Sequence, residues 1–267
     1  MAQDTILVDK DGHVATITMN RPDVLNALAH EQFEALQDAW RALNDDDDVR
    51  AVIVTGAGRG FCSGADLINF DLSSREGRRP VIDASQDWLK PLLEIKQPTI
   101  AAVNGVAVGA GLGIALACDI RIASEAARFS AIFKRIGMVA TDGVAWLLPR
   151  HVGLGKTLEL VYSGDIIDAR EAERIGMVNE VVPADGLMAR ARELAQSIAD
   201  GPPLALQLSK KMIYGGLSLS YEEYLVTQQY SSLVNRTYAS HDIQEGARAS
   251  KEKRPPRFRG MTGAPPA

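Results

Sequence analysis

Residues 99–118 read TIAAVNGVAVGAGLGIALAC and join a strand, a glycine-rich turn and a helix in one short stretch. The run Thr99–Val103 is apolar without alternation, which is typical of a strand buried on both faces. Gly109-Ala110-Gly111 then opens an apolar helix that runs towards Cys118. Because small residues let other groups approach the backbone closely, this turn is also a candidate ligand site.

The same order of elements occurs earlier in the chain, where residues 51–67 read AVIVTGAGRGFCSGADL. Here the apolar strand Ala51–Thr55 leads into the glycine-rich segment Gly56–Gly64. A further apolar strand is predicted at Ile120–Ala123. Strands and helices that alternate along the chain in this way indicate an α/β fold.

Other patterns extend this core towards the N-terminus. Two strands are predicted at Ile6–Val8 and Val14–Met19, around the turn Asp11-Gly12. Asn26 is a candidate N-cap for the helix that follows it. That helix carries four apolar residues at helical spacing, namely Phe33, Leu36, Trp40 and Leu43.

From about Gly201 the sequence becomes helical in pattern. Helices are predicted at Leu204–Tyr214, Tyr221–Arg236 and Ile243–Lys251, and the tail Lys253–Ala267 is expected to be loosely packed. We therefore divide the chain into an α/β core, residues 1–200, and a C-terminal helical region, residues 201–267.

Composition excludes several classes of protein. The chain has 267 residues, with 29 Lys and Arg against 34 Asp and Glu, and a net charge of −5 at pH 7. Nucleic-acid binding by phosphate neutralisation favours a basic protein, so no nucleic-acid partner is expected. The stretch Thr99–Ala117 is dense in Gly and Ala and contains Asn104, which argues against a membrane span.

The expected location is the cytoplasm. The 2 cysteines, Cys62 and Cys118, are too few for a disulfide framework and fit a reducing compartment. The first residues have neither the form of a signal peptide nor that of a transit peptide.

Several catalytic motifs are incomplete. The turn at Gly109 lacks the third small residue of a dinucleotide fingerprint, because Ile114 stands in its place. Gly155-Lys156-Thr157 resembles the end of a phosphate loop, but Arg150 occupies the position of the first glycine. Ser63 does not stand in a Gly-x-Ser-x-Gly motif.

No metal site is expected either. The 4 histidines have no ligand spacing, and each fits a surface or hydrogen-bonding role: His13, His30, His151 and His241. The acidic run Asp45–Asp48 is typical of a solvated loop. Cys62 is a weak candidate nucleophile, since no base accompanies it in the sequence.

The two glycine turns are the most informative features for chemistry. Backbone N–H groups at the start of a helix point outward as donors, and two of them that converge on one oxygen form an oxyanion hole. Spacing alone fits tight turns that serve packing equally well.

A set of short motifs carries a family resemblance over nearly the whole chain. They are Arg21-Pro22 with Asn26-Ala27-Leu28, Phe61–Leu67, Pro98–Gly111 with Cys118-Asp119-Ile120, Trp146–Arg150 with Val152-Gly153, Gly164–Val178 and Lys253–Phe258. In these residues the sequence resembles the crotonase family of enoyl-CoA hydratases and isomerases. The resemblance implies a superhelix of ββα units. It also implies a homotrimer or a dimer of trimers, with the C-terminal helical region in the trimer contacts.

The resemblance also implies an acyl-CoA site. The backbone N–H groups of Ala65 and Ala110 would hold the thioester oxygen as negative charge develops on it. Coenzyme A is part of the substrate, and no separate cofactor is implied. The substrate-binding positions carried over from the family are Arg21, Leu25, Ala27, Ser63, Asp66, Leu67, Gly109, Phe133, Thr141, Lys253 and Phe258. Lys253 and Phe258 would close over the nucleotide, from the same or a neighbouring subunit; each of these residues also fits a surface or packing role.

The sequence departs from the hydratases at both catalytic glutamates. Their positions fall at Gly113 and Phe133, and neither residue can move a proton. The stretch from Phe129 to Arg150 resembles instead the ring-epoxide and enoyl isomerases of aromatic acyl-CoA breakdown. Their aspartate aligns without gaps to Thr141, one residue before Asp142. Asp142 is therefore the candidate acid/base, with a turn- or helix-capping role as the alternative.

Other residues have weaker claims. Asp66 is expected to order its turn, and Asp119 to be structural. Ser130 and Thr141 are candidates for orienting a substrate or a water. Phe133 and Trp146 fit an acyl pocket or the core, and for Trp146 the core is expected. The polar segment 71–87, with Arg75, Arg78 and Arg79, is a candidate mobile lid.

The sequence thus predicts an acyl-CoA isomerase that uses an oxyanion hole and one carboxylate. One rival is a thioester hydrolase or an atypical hydratase, which needs an activated water near Asp142. Another rival is a protein that binds acyl-CoA without catalysing a reaction, and the absence of both glutamates supports it. The last is a structural oligomer that binds no acyl-CoA.

Overall fold

A computed structural model describes residues 5–66, 87–229 and 232–260. The strands in these residues are β1 (Ile6–Asp11), β2 (Val14–Met19), β3 (Ala51–Gly56), β4 (Gly60–Cys62), β5 (Thr99–Val103), β6 (Val106–Val108), β7 (Ile120–Ser124), β8 (Arg128–Ser130), β9 (Ile167–Asp168) and β10 (Glu180–Val182). The α-helices are α1 (His30–Asp45), α2 (Lys90–Glu94), α3 (Ala110–Ala117), α4 (Val144–Val152), α5 (Leu154–Ser163), α6 (Ala169–Arg174), α7 (Leu187–Ala199), α8 (Pro203–Gly216), α9 (Tyr221–Tyr224), α10 (Ser232–Tyr238) and α11 (His241–Glu252). The α/β class predicted from the sequence is confirmed.

The described strands form two sheets. The larger has the order β1-β2-β3-β5-β7-β10, and the smaller has the order β4-β6-β8-β9. The hairpin β1–β2 is antiparallel, as is the pair β8–β9, and the other pairs are parallel. The segment Gly56–Gly64 leads out of β3 in the large sheet and contains β4 of the small sheet, and Gly109-Ala110-Gly111 follows β6 of the small sheet.

Side-chain alternation in the central strands explains why both faces of the large sheet are buried. In β3, Val52 and Val54 face the main core, whereas Ala51 and Ile53 face a second cluster beneath α7. The same alternation occurs in β5. Strands of this kind have apolar residues without a break, as residues 99–103 do.

Helix α3 lies inside the protein, because every one of its residues is buried. Its small residues allow the backbone of neighbouring segments to approach closely. A Cβ on Gly111 would lie 2.1 Å from the carbonyl oxygen of Cys62, at the end of β4. Glycine is therefore required where the helix packs against the end of β4.

Two predictions of local structure are wrong. Asn26 does not cap α1: it lies in the left-handed region, with φ 59°, and its side chain donates to the carbonyl oxygens of Ala57 and Gly60. The N-cap is Ala29, whose N–H donates to Gln32. The single helix predicted at Tyr221–Arg236 is interrupted by a π-helical turn at Leu225–Gln229.

The C-terminal region is helical, as predicted, and it is tied to the core at Asp119. The Asp119 carboxylate accepts hydrogen bonds from Lys210 and Tyr214 of α8, each at 2.8 Å, and from the backbone N–H of Thr99 at 2.7 Å. The structural role expected of Asp119 is confirmed. The role of this region in trimer contacts stays a prediction.

The segment after α11 is anchored rather than loose. The Glu245 carboxylate accepts two hydrogen bonds from Arg254, and Asp242 accepts from the backbone N–H groups of Arg259 and Gly260. The expectation of a loosely packed tail is thus wrong for residues 254–260. No helix of the described residues has the length and apolar character needed to cross a bilayer.

A buried polar cluster beneath α3 makes stability depend on pH. The Nε2 of His151 hydrogen-bonds the Leu116 carbonyl oxygen at 3.2 Å, and its Nδ1 lies 3.5 Å from Arg121 Nη2. Burial and the Arg121 charge lower the pKa of His151 from 6.5 to about 4. The folded state therefore favours the neutral ring.

Because of this cluster, we expect the free energy of unfolding to decrease as the pH falls from 6.5 towards 4. The unfolded chain takes up a proton on His151 in that window and the folded chain does not, so stability is present above pH 6.5 and is lost below it. The loss is about 2 kcal/mol at pH 4.5. Urea unfolding at several pH values should show that the free energy of unfolding depends less on pH in His151→Asn than in wild type. The exposed His30→Asn is the control, and a variant profile parallel to that of wild type would contradict the assignment.

Candidate active site

The two glycine turns lie close together because the strands that precede Gly64 and Gly109 are neighbours in the small sheet. Strands β4 and β6 pair in parallel, so the segments that follow them lie side by side. Gly64 has φ +93° and Gly109 has φ +54°, conformations that glycine adopts without strain. A Cβ on Gly64 would lie 2.9 Å from the Val108 carbonyl oxygen and 3.6 Å from the Ala110 nitrogen. The turns therefore need glycine to approach this closely.

The convergence presents backbone donors that the fold leaves unused. The parallel bridge between Leu28 and Ala65 uses the N–H of Leu28 and of Asp66, so the Ala65 N–H is not part of it. Ala110 is the first residue of α3, where an N–H has no partner within the helix. Within the described ranges, no oxygen accepts a hydrogen bond from either N–H. The oxyanion hole predicted at Ala65 and Ala110 stays a prediction, and this geometry is compatible with it.

Asp142 lies across the first turn of α3, opposite Gly113. A Cβ on Gly113 would lie only 2.1 Å from the Asp142 carbonyl oxygen, so the absence of a side chain at 113 makes room for the Asp142 backbone. Asp142 has φ 53°, in the left-handed region where Asp and Asn are enriched among residues other than Gly. Gly113 follows Ala110 by three residues, or about 4.5 Å along the helix axis.

The Asp142 carboxylate is held by two hydrogen bonds. The indole N–H of Trp88 donates to Oδ1 at 3.0 Å, and the Thr141 hydroxyl donates to Oδ2 at 3.2 Å. Burial raises the pKa of Asp142, the two hydrogen bonds oppose that rise, and the negative charge of Asp87 adds to it. The net effect is a pKa above the ordinary value of a carboxyl, which suits a group that exchanges protons near neutrality.

Cys62 lies near this carboxylate but is unsuited to be a nucleophile. The thiol is fully buried, and burial raises its pKa to about 12, with a contribution from the Asp142 charge. A thiol rather than a thiolate is therefore present at neutral pH. Among the described residues, no group of three or more His, Cys, Asp or Glu is arranged to hold a metal ion.

Several predicted substrate-binding residues surround the first turn. Arg21 donates to the Ala27 carbonyl oxygen at 2.6 Å and pairs with Asp66 at 3.2 Å. Asp66 is buried, and its pairing with Arg21 orders the turn, which is the role predicted for Asp66 from the sequence. Ser63 Oγ donates to the Val24 carbonyl oxygen, and the Ser63 N–H donates to that of Leu25.

The other predicted residues are more widely spread. Phe133 is buried in a short 3-10 helix, Ile132–Ile136, and the Ser130 hydroxyl donates to the Gly164 carbonyl oxygen at 3.2 Å. Lys253 ends α11, and Phe258 lies in an apolar groove between α8, α10 and α11. Leu67 and residues 71–86 of the candidate lid lie outside the described residues.

The core placement predicted for Trp146 is wrong. The residue is 49% exposed, and the Arg150 guanidinium lies 3.9 Å from its ring centroid. The buried residues of α4 are Val144, Leu147 and Leu148, which put Trp146 on the opposite face. Trp88 was missed by sequence reasoning, because its contact with Asp142 spans 54 residues and follows no local pattern.

The chain is similar to known proteins over nearly its whole length. The sequence matches the enoyl-CoA hydratase/isomerase family over residues 9–261. A probable enoyl-CoA hydratase of Mycobacterium tuberculosis is 36% identical over 259 residues, which cover 97% of this chain and 99% of the relative. The 1,2-epoxyphenylacetyl-CoA isomerase of Escherichia coli is 34% identical over 261 residues, covering 96% of this chain and 98% of the relative.

A solved structure has the same fold. The crystal structure of an enoyl-CoA hydratase from Bacillus anthracis matches with a TM-score of 0.90 and 35% identity, covering 96% of this chain and 99% of that chain. The predicted crotonase fold is confirmed. The chain belongs to the enoyl-CoA hydratase/isomerase family.

Proposed function

We propose that the protein is an acyl-CoA isomerase that shifts a double bond through an enolate, with Asp142 as the only acid/base group that the reaction needs. The observation that carries this proposal is the position of the Asp142 carboxylate. The Asp142 backbone lies against Gly113, about one turn of α3 from the unused N–H of Ala110, and its carboxylate is held by Trp88 and Thr141. The family acts on acyl-CoA thioesters, so the substrate oxygen to be stabilised is the thioester carbonyl.

The proposed reaction has two proton transfers and no net change in composition. The ionised Asp142 carboxylate removes a proton from the carbon next to the thioester carbonyl, and the electron pair moves onto the carbonyl oxygen. The N–H groups of Ala65 and Ala110 stabilise the enolate oxygen. The protonated Asp142 then returns the proton to another carbon of the conjugated system, and the carbonyl re-forms.

The environment of Asp142 suits both halves of this cycle. Burial raises the pKa of the carboxyl, so its conjugate acid gives up a proton less readily and the carboxylate is a stronger base. The hydrogen bonds from Trp88 and Thr141 favour the ionised form that the first step uses. General acid–base catalysis is most effective when the pKa of the group is close to the working pH.

Hydration is the second candidate. It is supported by Asp87, a second carboxylate whose negative charge raises the pKa of Asp142, and by relatives described as enoyl-CoA hydratases. Addition of water requires one group to activate the water and another to manage the proton at carbon. In this alternative Asp142 and Asp87 divide those roles, although Gly113 and Phe133 replace the usual glutamates.

Product analysis distinguishes these functions. The purified protein is incubated with saturated, 2-enoyl, 3-enoyl and arylacetyl-CoA, and the products are identified by liquid chromatography, mass spectrometry and NMR. The proposal predicts a product of unchanged mass with a moved double bond. A product that gains water would replace it with hydration, and release of free coenzyme A would replace it with thioester hydrolysis.

A further inference from the structure

Trp88 contacts the candidate acid/base from a part of the chain that is remote in sequence. Its indole N–H lies 3.0 Å from Asp142 Oδ1, across 54 residues. The next residue, Leu89, is buried against the same turn: a Cβ on Gly143 would lie 2.7 Å from Leu89 Cδ2. The segment before α2 therefore packs on the Asp142–Gly143 turn through two successive side chains.

The Trp88 ring is itself held in place by aromatic neighbours. The ring of Phe33 meets it edge to face, with centroids 4.7 Å apart, and the ring of Trp40 stacks on it at 6.0 Å. Phe33 and Trp40 belong to α1, so the indole is fixed against a helix of the core. A donor on a rigid ring loses little conformational freedom when it binds a carboxylate.

We propose that Trp88 is a positioning residue, whose indole N–H holds the Asp142 carboxylate in one rotamer beside the first turn of α3. This inference rests on the proposed function, in which that carboxylate moves the proton. Trp88 itself transfers no proton, since an indole N–H only donates a hydrogen bond. The Thr141 hydroxyl holds the other oxygen, so the two donors together fix the plane of the carboxylate.

The same contact also influences the charge of the carboxylate. A hydrogen bond to the ionised form favours that form, and the surroundings of Asp142 otherwise oppose it. In the described part of the chain, the charged group that acts on the Asp142 pKa is Asp87, which raises it, and the Asp142 charge in turn raises the pKa of the buried Cys62 thiol, which stays neutral. Loss of the indole N–H should therefore raise the Asp142 pKa further.

The test replaces the donor and keeps an aromatic ring. In Trp88→Phe we expect the Asp142 pKa to rise by about one unit. It is measured by ¹³C NMR of the labelled carboxyl, which is assigned by its absence from Asp142→Asn. The acidic limb of the pH–kcat profile should move upward with it, and kcat at its optimum should fall about tenfold with little change in KM. Tyr162→Phe removes a polar group from an exposed aromatic side chain of α5 and should alter neither quantity.

A second variant keeps the test independent of folding. Site-specific 3-benzothienylalanine at position 88 preserves the bicyclic shape and replaces the N–H by sulfur, and it should give the same two shifts. An unchanged Asp142 pKa in both variants, or a pH profile that does not follow it, would overturn the positioning role. Full turnover by Asp142→Asn would instead overturn the proposed function, whatever the titration shows, so the two failures are distinguishable.

Discussion

Asp142→Asn is expected to lower kcat about 10³-fold on whichever acyl-CoA the wild-type protein isomerises, because general acid–base groups contribute roughly 10²–10⁴ to a rate. Asn is the matched replacement for structural reasons. It tolerates the left-handed conformation that Asp142 adopts with φ 53°, and its amide oxygen still accepts the hydrogen bond from Trp88. The fold and the binding of acyl-CoA should therefore be retained.

The measurements for this variant separate chemistry from binding. Single-turnover kinetics report the proton-transfer step, and calorimetric titration with a saturated acyl-CoA reports affinity. Asp38→Asn removes a carboxylate from the exposed surface of α1 and should leave both quantities unchanged. Wild-type turnover by Asp142→Asn would remove this residue from the mechanism and leave it a structural role.

Gly113→Ala is expected to damage both stability and activity. The added Cβ would lie 2.1 Å from the Asp142 carbonyl oxygen, and neither the interior of α3 nor the backbone at 142 is a flexible side chain that can move aside. We expect more than about 3 kcal/mol of lost stability and a displaced Asp142. Activity should fall by at least as much as in Asp142→Asn, since the carboxylate loses its position.

Gly155→Ala is the matched control for this overlap. It adds the same methyl group within a helix, α5, at a position where nothing lies within 4 Å of the new Cβ. Because Ala is favoured over Gly in helices, we expect unchanged or slightly increased stability. Urea unfolding midpoints and turnover of the two variants compare the effects directly. A Gly113→Ala protein that is as stable and as active as the control would show that the Asp142 backbone does not need this space.

The overlap between a Cβ at position 113 and the Asp142 carbonyl oxygen gives a structural reason for glycine at this position. The family resemblance implies that Gly113 stands where the hydratases have a glutamate, and it places the isomerase aspartate one residue before Asp142. In the structure both observations describe one contact, because the missing side chain at 113 leaves room for the backbone of 142. The backbone of a residue that carries a carboxylate therefore occupies the space next to Gly113.

Patterns local in sequence predicted the fold well, and interactions between distant residues caused the errors. The uninterrupted apolar runs at 51–55 and 99–103 identified buried strands, since their alternate residues face two clusters. Asn26 was misassigned because its side chain bonds carbonyl oxygens more than thirty residues away. Trp146 was misassigned because the apolar run around it hid the spacing that puts it on the outer face of α4.

The candidate site shows the same limit. The two glycine turns were found by repetition of strand, turn and helix, and their close approach follows from parallel pairing of β4 with β6. The partners of Asp142 follow no such rule. The hydrogen bond from Trp88 depends on how the segment before α2 packs against α1 and the 142–143 turn, which no periodicity encodes.

Deuterium exchange in heavy water tests most directly whether this site forms an enolate. The wild-type protein is incubated in heavy water with each acyl-CoA that calorimetry shows to bind, and mass spectrometry follows deuterium at the carbon next to the thioester. A base and an oxyanion hole that act together predict enzyme-dependent uptake at that carbon, without gain of water or release of coenzyme A. No uptake on any bound acyl-CoA would contradict enolate chemistry and favour a protein that binds acyl-CoA without reacting with it.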